Sequence, residues 1–193
     1  MPALDPHDPS SSDPLLRPMQ PKSDQLRRAI WLVAWNLLCR WTPTPLHRWR
    51  CFVLTLFGAR LGPRNFVYPS ARIWAPWLLE TEDVVTIGRD ASVYNVGGIR
   101  IGSHAIVSEG AFLCGATHDF HDVNFRLVAK PIIVGPYAWI CARAIVLPGV
   151  ECGEGSVLGA GAVTSRNLKP WMVYAGNRAV ELGERKRSDR GKV

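Results

Sequence analysis

The sequence has 193 residues, 47% of them hydrophobic, which is enough for one well-cored domain without disulfide bonds. Its five cysteines are odd in number and lack the spacing of a CxxC or Cys/His zinc site, so they predict free thiols in a reducing cytoplasm. The net charge is +7, and the excess of basic over acidic side chains within residues 22–64 has the same value. No signal peptide and no transmembrane stretch of about 18 apolar residues is predicted.

The chain opens with a stretch that cannot support a core. Residues 1–22 hold six prolines with Ser and Asp and few large apolar side chains, which predicts a disordered tail. Residues 23–62 then predict a helical segment. Its first helix should end at about Arg40, and its second should run from about Leu46 to Phe57.

The helical segment places tryptophans among arginines, which leaves three interpretations open. It is a cap on the end or flank of the following domain, an interfacial helix pair that meets anionic lipid, or a nucleic-acid-binding element. The last interpretation lacks a recognition motif, and the first two are compatible with each other. The tryptophans concerned are Trp31, Trp35, Trp41 and Trp49.

An apolar residue recurs every six positions in the second half of the chain. A period of six fits neither an amphipathic helix nor a lone hairpin, but it fits a strand and a corner that recur on each side of a coil. Small residues stand four positions after each apolar residue. The apolar positions are Ile101, Val107, Leu113, Val134, Ile140, Val146, Cys152 and Leu158, and Thr164 is a final polar member.

This repeat predicts an all-β fold, a parallel β-helix of hexapeptide repeats over residues 63–178. A sandwich of short strands would not keep step over about nine hexads. The pattern slips by two residues near Gly97-Gly98, which predicts a small bulge, and residues 119–131 predict an external loop. Residues 179–193 are expected to form a basic tail, either a frayed helix or disordered.

His118 stands immediately before the loop and is the candidate catalytic residue. Axis residues of a β-helix are buried, whereas a residue at the root of a projecting loop meets solvent. An imidazole there can act as a general base toward an alcohol at neutral pH. The alternative is a corner histidine that only hydrogen-bonds the loop. Its orienting partner stays open between Asp119 and a main-chain carbonyl.

Short motifs distinguish the chain beyond its six-residue period. They are Gly115-Ala116-Thr117-His118, Leu147-Pro148-Gly149-Val150, Gly159-Ala160-Gly161-Ala162-Val163, Ala175-Gly176-Asn177 and, before the repeat, Leu56-Phe57-Gly58-Ala59-Arg60-Leu61-Gly62. Their core resembles the maltose and galactoside acetyltransferases, and residues 25–180 as a whole resemble the colanic acid biosynthesis acetyltransferases. The resemblance implies a left-handed β-helix, a homotrimer with active sites between subunits, acetyl-CoA as cosubstrate and no metal.

The resemblance also implies roles for individual residues. His118 would deprotonate a sugar hydroxyl, and the alkoxide would attack the thioester directly. Asn95 matches a turn asparagine that faces the acceptor, although an asparagine also suits left-handed backbone geometry. Asp119 occupies the position where the sugar acetyltransferases have proline, and it is expected to contact the acceptor sugar. The residues expected along the cofactor are Trp139, Ala142, Ala160, Ser165, Arg166 and Arg178.

The sequence therefore predicts an acetyl-CoA-dependent O-acetyltransferase of a sugar or lipid-linked oligosaccharide in exopolysaccharide biosynthesis. We expect it in the cytoplasm, with residues 23–62 as a peripheral contact to the inner face of the membrane and with no nucleic acid partner. A non-catalytic trimeric scaffold and N-acetylation of an amino sugar remain as alternatives. A zinc site like that of β-helical carbonic anhydrases is disfavoured by the spacing of His104, His118 and His121.

Overall fold

Two helices precede a β-helix of about six coils in the computed structural model. The first helix, α1 (Lys22–Leu38), ends two residues before the expected Arg40, and the second is α2 (His47–Leu56). The predicted tail lies outside the described residues apart from Lys22, which begins α1. The structure describes residues 22–119, 121–122, 125–177 and 180–184.

Each coil contributes short parallel strands to three sheets, which we call the first, second and third faces. The first face contains β1 (Arg60–Leu61), β4 (Leu79–Thr81), β7 (Ile99–Ile101), β12 (Ile132–Val134) and β15 (Glu151–Cys152). The second contains β2 (Phe66–Val67), β5 (Thr86–Ile87), β8 (Ile106–Val107), β13 (Trp139–Ile140), β16 (Val157–Leu158), β18 (Met172–Ala175) and β19 (Val180–Glu184). The third contains β3 (Arg72–Ile73), β6 (Ser92–Tyr94), β9 (Phe112–Cys114), β14 (Ile145–Val146) and β17 (Val163–Thr164). The predicted parallel β-helix is confirmed.

The six-residue period places one side chain of each strand on the axis. Val107, Leu113 and Ile140 are fully buried, whereas the strand neighbours Ile106 and Trp139 are exposed. This alternation follows from the two-residue side-chain period of a strand. Stacked coils therefore share one continuous apolar core.

The expected bulge near Gly97-Gly98 is a longer corner between β6 and β7. Gly98 adopts a φ of +86° and donates its backbone N–H to the carbonyl oxygen of Asn95 at 3.0 Å. A Cβ at Gly97 would lie 2.6 Å from the backbone of Lys130, so only glycine fits below that residue. The register slip arises because both Ile99 and Ile101 point inward on β7.

The external loop begins earlier than the sequence indicated. Strand β10 (Ala116–His118) pairs antiparallel with β11 (Leu127–Ala129), forming a hairpin that leaves the corner between the third and first faces. His118 therefore lies in a strand of the projection rather than before it. The spacing could not locate this pairing, because the hairpin does not share the six-residue period.

The expectation of a frayed helix or disorder after residue 178 is wrong for residues 180–184. Strand β19 runs antiparallel to β18 at the edge of the second face. An edge strand presents unpaired backbone groups, and the returning chain satisfies them.

The helical segment covers the opposite end of the β-helix. Helix α2 packs against β1 and β2, which are edge strands of their sheets. On α1, Trp31 and Trp35 are buried, and the indole N–H of Trp31 donates to the carbonyl oxygen of Ile73 on β3 at 2.7 Å. These contacts shield the first coil from solvent.

Candidate active site

The hairpin holds His118 beside the corner between the third and first faces. His118 ends β10 and stands opposite Leu127 on β11. At the root of the hairpin, a Cβ on Gly115 would lie 2.5 Å from the carbonyl oxygen of Tyr94 in the preceding coil. Because glycine has no Cβ, the backbone can pass close to the preceding coil where the hairpin leaves the β-helix. The half-buried imidazole of His118 therefore has a defined position next to the β-helix.

The imidazole of His118 is oriented by Phe125. Its Nδ1 lies 2.8 Å from the carbonyl oxygen of Phe125, and the two rings stack with centroids 4.5 Å apart and planes within 7°. A carbonyl only accepts, so Nδ1 carries the proton and the Nε2 lone pair is left to receive another. Phe125 has a φ of +46°, which turns its carbonyl toward the ring.

Phe125 was not anticipated from the sequence, which left the orienting partner open between Asp119 and a main-chain carbonyl. The carboxylate of Asp119 instead accepts the backbone N–H of His121 at 3.0 Å. Its own N–H donates to the carbonyl oxygen of Arg126 at 2.9 Å and extends the hairpin. Asp119 is exposed beside His118, at the position where an acceptor could contact it.

Asn95 lies inside the fold rather than on a binding surface. Its side chain is fully buried, its amide nitrogen donates to the carbonyl oxygen of Ala75 at 2.7 Å, and its amide oxygen accepts the N–H of Ala75 at 3.0 Å. Its φ is not positive either. The side-chain amide thus supplies the hydrogen bonds that strand pairing would supply between these two corners. Both of its polar atoms bond to the backbone of the neighbouring coil.

Three residues expected along the cofactor lie on the second face or on the corner that follows it. Trp139 is 42% exposed on β13, flanked by Ile106, and its indole N–H donates to the hydroxyl of Ser108 at 2.8 Å. Ala142 and Ala160 are exposed on the corner between the second and third faces, in successive coils. Together they form an exposed strip with an aromatic side chain at one end.

Ser165 and Arg166 lie on another corner, after β17, between the third and first faces. Both are exposed. The hydroxyl of Thr164 donates to the carbonyl oxygen of Arg166 at 2.8 Å and holds this turn. The hairpin of His118 leaves the same corner two coils earlier. Arg178 lies outside the described residues.

The predicted site residues therefore divide between two edges of one chain. His118, Ser165 and Arg166 are on the edge between the third and first faces, whereas Trp139 and Ala142 are on or next to the second face. The third face separates these edges. One chain does not bring the two groups together, but two adjacent copies could, with one edge supplied by each.

A thiol stands close to the hairpin root. Cys114 is half-buried, and its Sγ donates to the carbonyl oxygen of Ala116 at 3.2 Å. Burial raises the pKa of this thiol above its ordinary value. Because the thiolate is the reactive form, Cys114 is a weak nucleophile at neutral pH.

The other histidines of the repeat do not form a cluster with His118. His104 stacks on Tyr137 at the corner between the first and second faces, with ring centroids 4.9 Å apart. Within the described ranges, no group of three or more His, Cys, Asp or Glu residues is placed to hold a metal ion. Neither described helix is long and apolar enough to cross a membrane.

Comparison with known proteins identifies clear relatives, although no protein-family model matches the sequence. The protein named "Putative colanic acid biosynthesis acetyltransferase WcaF" from Escherichia coli (strain K12) is 36% identical over 156 residues, which cover 81% of this chain and 86% of that protein. A maltose O-acetyltransferase from Clostridium difficile 630 superposes with a TM-score of 0.75 at 20% identity, over 86% of this chain and 90% of that one. A hexapeptide-repeat acetyltransferase from Vibrio cholerae O1 biovar eltor, complexed with acetyl-CoA, gives a TM-score of 0.73 at 19% identity, over 84% and 89%.

Proposed function

The chain belongs to the hexapeptide-repeat acetyltransferases, in the family of the colanic acid biosynthesis enzymes, and we propose that it transfers acetyl from acetyl-CoA to a sugar hydroxyl of an exopolysaccharide precursor. The 36% identity over most of both chains confirms the family expected from the motifs. The chain is thus an acetyltransferase. The observation that carries the more specific proposal is the oriented imidazole of His118.

The geometry of His118 supports direct transfer with this residue as general base. Nε2 takes the proton of the sugar hydroxyl as its oxygen attacks the thioester carbon. The tetrahedral intermediate then expels the CoA thiolate, which receives the proton from the imidazolium. The carbonyl oxygen of Phe125, 2.8 Å from Nδ1, stabilises the imidazolium between these steps. Burial raises the pKa of the Cys114 thiol, which disfavours this cysteine as the site of an acyl-enzyme.

The division of the site residues supports a homotrimer with its active sites between copies. In this proposal His118 belongs to one subunit, and the exposed strip with Trp139 belongs to its neighbour. Acetyl-CoA would lie in the groove between them, along the backbone of Ala142 and Ala160. Ser165 and Arg166 would contact its phosphates, because an exposed guanidinium is a strong phosphate ligand.

The helical segment supports contact with the cytoplasmic face of a membrane. One side of α1 is uniformly apolar and exposed, and Leu37 is 74% exposed. Trp41, 85% exposed, and apolar residues of α2 add to these exposed apolar side chains, and such a concentration is typical of an interaction surface. Arg40 and Arg48 are exposed nearby and suit anionic headgroups. This surface, the outer stripe, comprises Leu26, Ile30, Val33, Leu37, Leu38, Trp41, Trp49, Phe52 and Leu56.

Substitution of His118 tests the proposed reaction. His118→Ala should lower kcat by roughly 10² to 10⁴, the contribution of a single general base, while calorimetry gives an unchanged Kd for acetyl-CoA at one site per chain. His121→Ala, on the same hairpin, is the matched control and should stay within a few-fold of wild type. Turnover of His118→Ala close to wild type would remove this residue from catalysis. Absence of acetyl-CoA binding by the folded protein would favour a scaffold.

Vesicle sedimentation tests the membrane contact separately. Wild type should sediment with vesicles of phosphatidylcholine and phosphatidylglycerol, and the double variant Val33→Glu, Leu37→Glu should stay in the supernatant because it charges the centre of the outer stripe. Thr55→Glu, on the exposed surface of α2 but outside the outer stripe, adds one negative charge and is the control; it should sediment like wild type. Equal sedimentation of the double variant and wild type would refute the contact.

A further inference from the structure

A groove runs between helix α1 and the outer surface of the third face. Its volume is about 840 Å³, within the 300–1,000 Å³ typical of small-molecule sites. The walls are mostly apolar, with the helix on one side and strands β3, β6 and β9 on the other. Residues that define the walls are Ala29, Leu32, Trp35, Trp74, Tyr94 and Phe112.

The charged residues that line this groove are all basic. They are Arg28, Arg40 and Arg72, and no acidic side chain of the described residues lines the groove with them. The guanidinium carbon of Arg28 lies 4.3 Å from the ring centroid of Trp74, which holds this cation against the wall. An apolar groove with a purely basic rim favours a ligand that has an apolar body and an anionic group.

Two buried donors in the groove lack partners. Trp35 is 6% exposed, and neither its indole N–H nor the Nε–H of Arg28 forms a hydrogen bond to any described residue. One turn earlier on α1, the indole N–H of Trp31 does find a carbonyl, that of Ile73. A buried donor without an acceptor is unfavourable, so such groups in native proteins normally meet water or a ligand.

The groove also leads toward the catalytic hairpin. Tyr94, on its wall, pairs in register with Cys114 of the next coil, and the hairpin leaves the coil at the following residue, Gly115. A ligand lying along the third face would therefore point one end toward His118. The other side of α1 carries the outer stripe, so the helix separates the groove from the proposed membrane contact.

We infer that this groove binds the carrier of the acceptor sugar, an aliphatic chain joined to a phosphate, with the chain between α1 and the third face and the phosphate at Arg28 and Trp35. The inference rests on the proposed function and specifies its substrate as lipid-linked. Arg28 and the indole N–H of Trp35 would donate to phosphate oxygens, because charge-assisted bonds of this kind suit buried donors. Phe112 and Leu32 would contact the chain.

Calorimetric titration with three probes tests the chemistry of the ligand. Farnesyl phosphate should bind the full chain saturably at one site, whereas farnesol should bind at least tenfold more weakly because it lacks the anion. Inorganic phosphate should also bind at least tenfold more weakly because it lacks the chain. Equal affinity for farnesol or for inorganic phosphate would overturn the amphiphile assignment.

Paired variants test the location. Ala29→Phe should block the groove and weaken farnesyl phosphate binding at least tenfold, and Thr55→Phe, with the same ring on an exposed position of α2, should not. Arg28→Gln should weaken binding about tenfold, the loss of one charge-assisted bond, whereas Arg89→Gln, exposed and outside the groove, should stay within twofold. Unchanged affinity in both groove variants, with circular dichroism like that of wild type, would overturn the site.

Acetyl-CoA titration of the same samples separates this inference from the proposed function. Acetyl-CoA binding without farnesyl phosphate binding would refute the groove and leave the acetyltransferase standing. Farnesyl phosphate binding without acetyl-CoA binding would refute the proposed reaction and leave a lipid-phosphate site.

Discussion

Arg50 is the polar anchor of the helical segment, and its removal should detach that segment. The side chain is fully buried on α2 and forms no ion pair with a carboxylate of the described residues. Its Nε donates to the carbonyl oxygen of Val67 on β2 at 2.6 Å, and Nη1 donates to the hydroxyl of Thr42 at 2.7 Å and the carbonyl oxygen of Pro43 at 2.9 Å. Nη2 donates to the carbonyl oxygen of Thr44. One guanidinium thus joins the loop before α2 to the first coil.

Arg50→Met removes the donor from these acceptors. The buried carbonyl oxygen of Val67 still contacts Nδ1 of His47 at 3.0 Å. Pro43 is exposed, and Thr42 and Thr44 are half-buried, so water can replace part of the lost bonding there. Each hydrogen bond to a charged group contributes about 1.5–3 kcal/mol, and the terms are not additive. The variant also avoids the desolvation of a cation, which offsets part of the loss. We therefore expect α2 to be less stable by about 1.5–3 kcal/mol, the contribution of hydrogen bonds to a charged group.

Native-state hydrogen exchange measures this effect locally. Backbone amides of α2 should exchange about 10 to 150 times faster in Arg50→Met, since each 1.4 kcal/mol is a factor of ten. Arg48→Gln, two residues away and exposed, should change exchange by less than threefold. Arg50→Lys should not restore protection, because an ammonium cannot reproduce the planar five-donor geometry. An Arg50→Met effect below about 1 kcal/mol would refute the role of this network.

Three further results follow from the contacts. Asn95→Leu breaks both hydrogen bonds to Ala75, so it should lower the free energy of unfolding in urea by about 2–4 kcal/mol and leave KM unchanged. A raised KM at wild-type stability would instead indicate that Asn95 contacts the substrate. Phe125→Ala should lower kcat about 5- to 30-fold by freeing the His118 ring, with an unchanged Kd for acetyl-CoA; an unchanged kcat would show that the hairpin backbone alone orients the ring. Burial raises the pKa of Cys152 from 9.0 to about 12, so the folded state retains a proton that the unfolded state loses. The free energy of unfolding is unaffected by this thiol below pH 9 and falls by up to about 1.4 kcal/mol per pH unit above it. Cys152→Ala should therefore reduce the alkaline decline of the urea midpoint.

The sequence was most informative where a residue type has one structural consequence. The six-residue apolar positions, such as Val107 and Ile140, can only face the axis of a coil, and each is fully buried. The register slip was also visible, because it shifts that same period at Gly97-Gly98. The sequence located the end of α1 within two residues and both ends of α2 within one, by composition and by the residues that stop these helices.

The sequence was less informative where several environments accept the same residue. An asparagine on a corner can face a ligand or bridge two coils, and only the structure shows Asn95 bonded to Ala75. Strand β19 depends on the open edge of β18, which is a property of the finished sheet rather than of residues 180–184.

The amino-acid sequence by itself determined that this chain forms a parallel β-helix of the acetyltransferase family and that His118 stands at the interruption of its repeat. The tertiary structure decided that Phe125 orients the imidazole, that the expected cofactor residues lie on two separate edges, and that α1 forms a groove with the third face. The physical reason is that an apolar period acts locally, coil by coil. Hydrogen bonds between a hairpin and its histidine, or between a helix and a distant strand, exist only after the chain has brought those groups together.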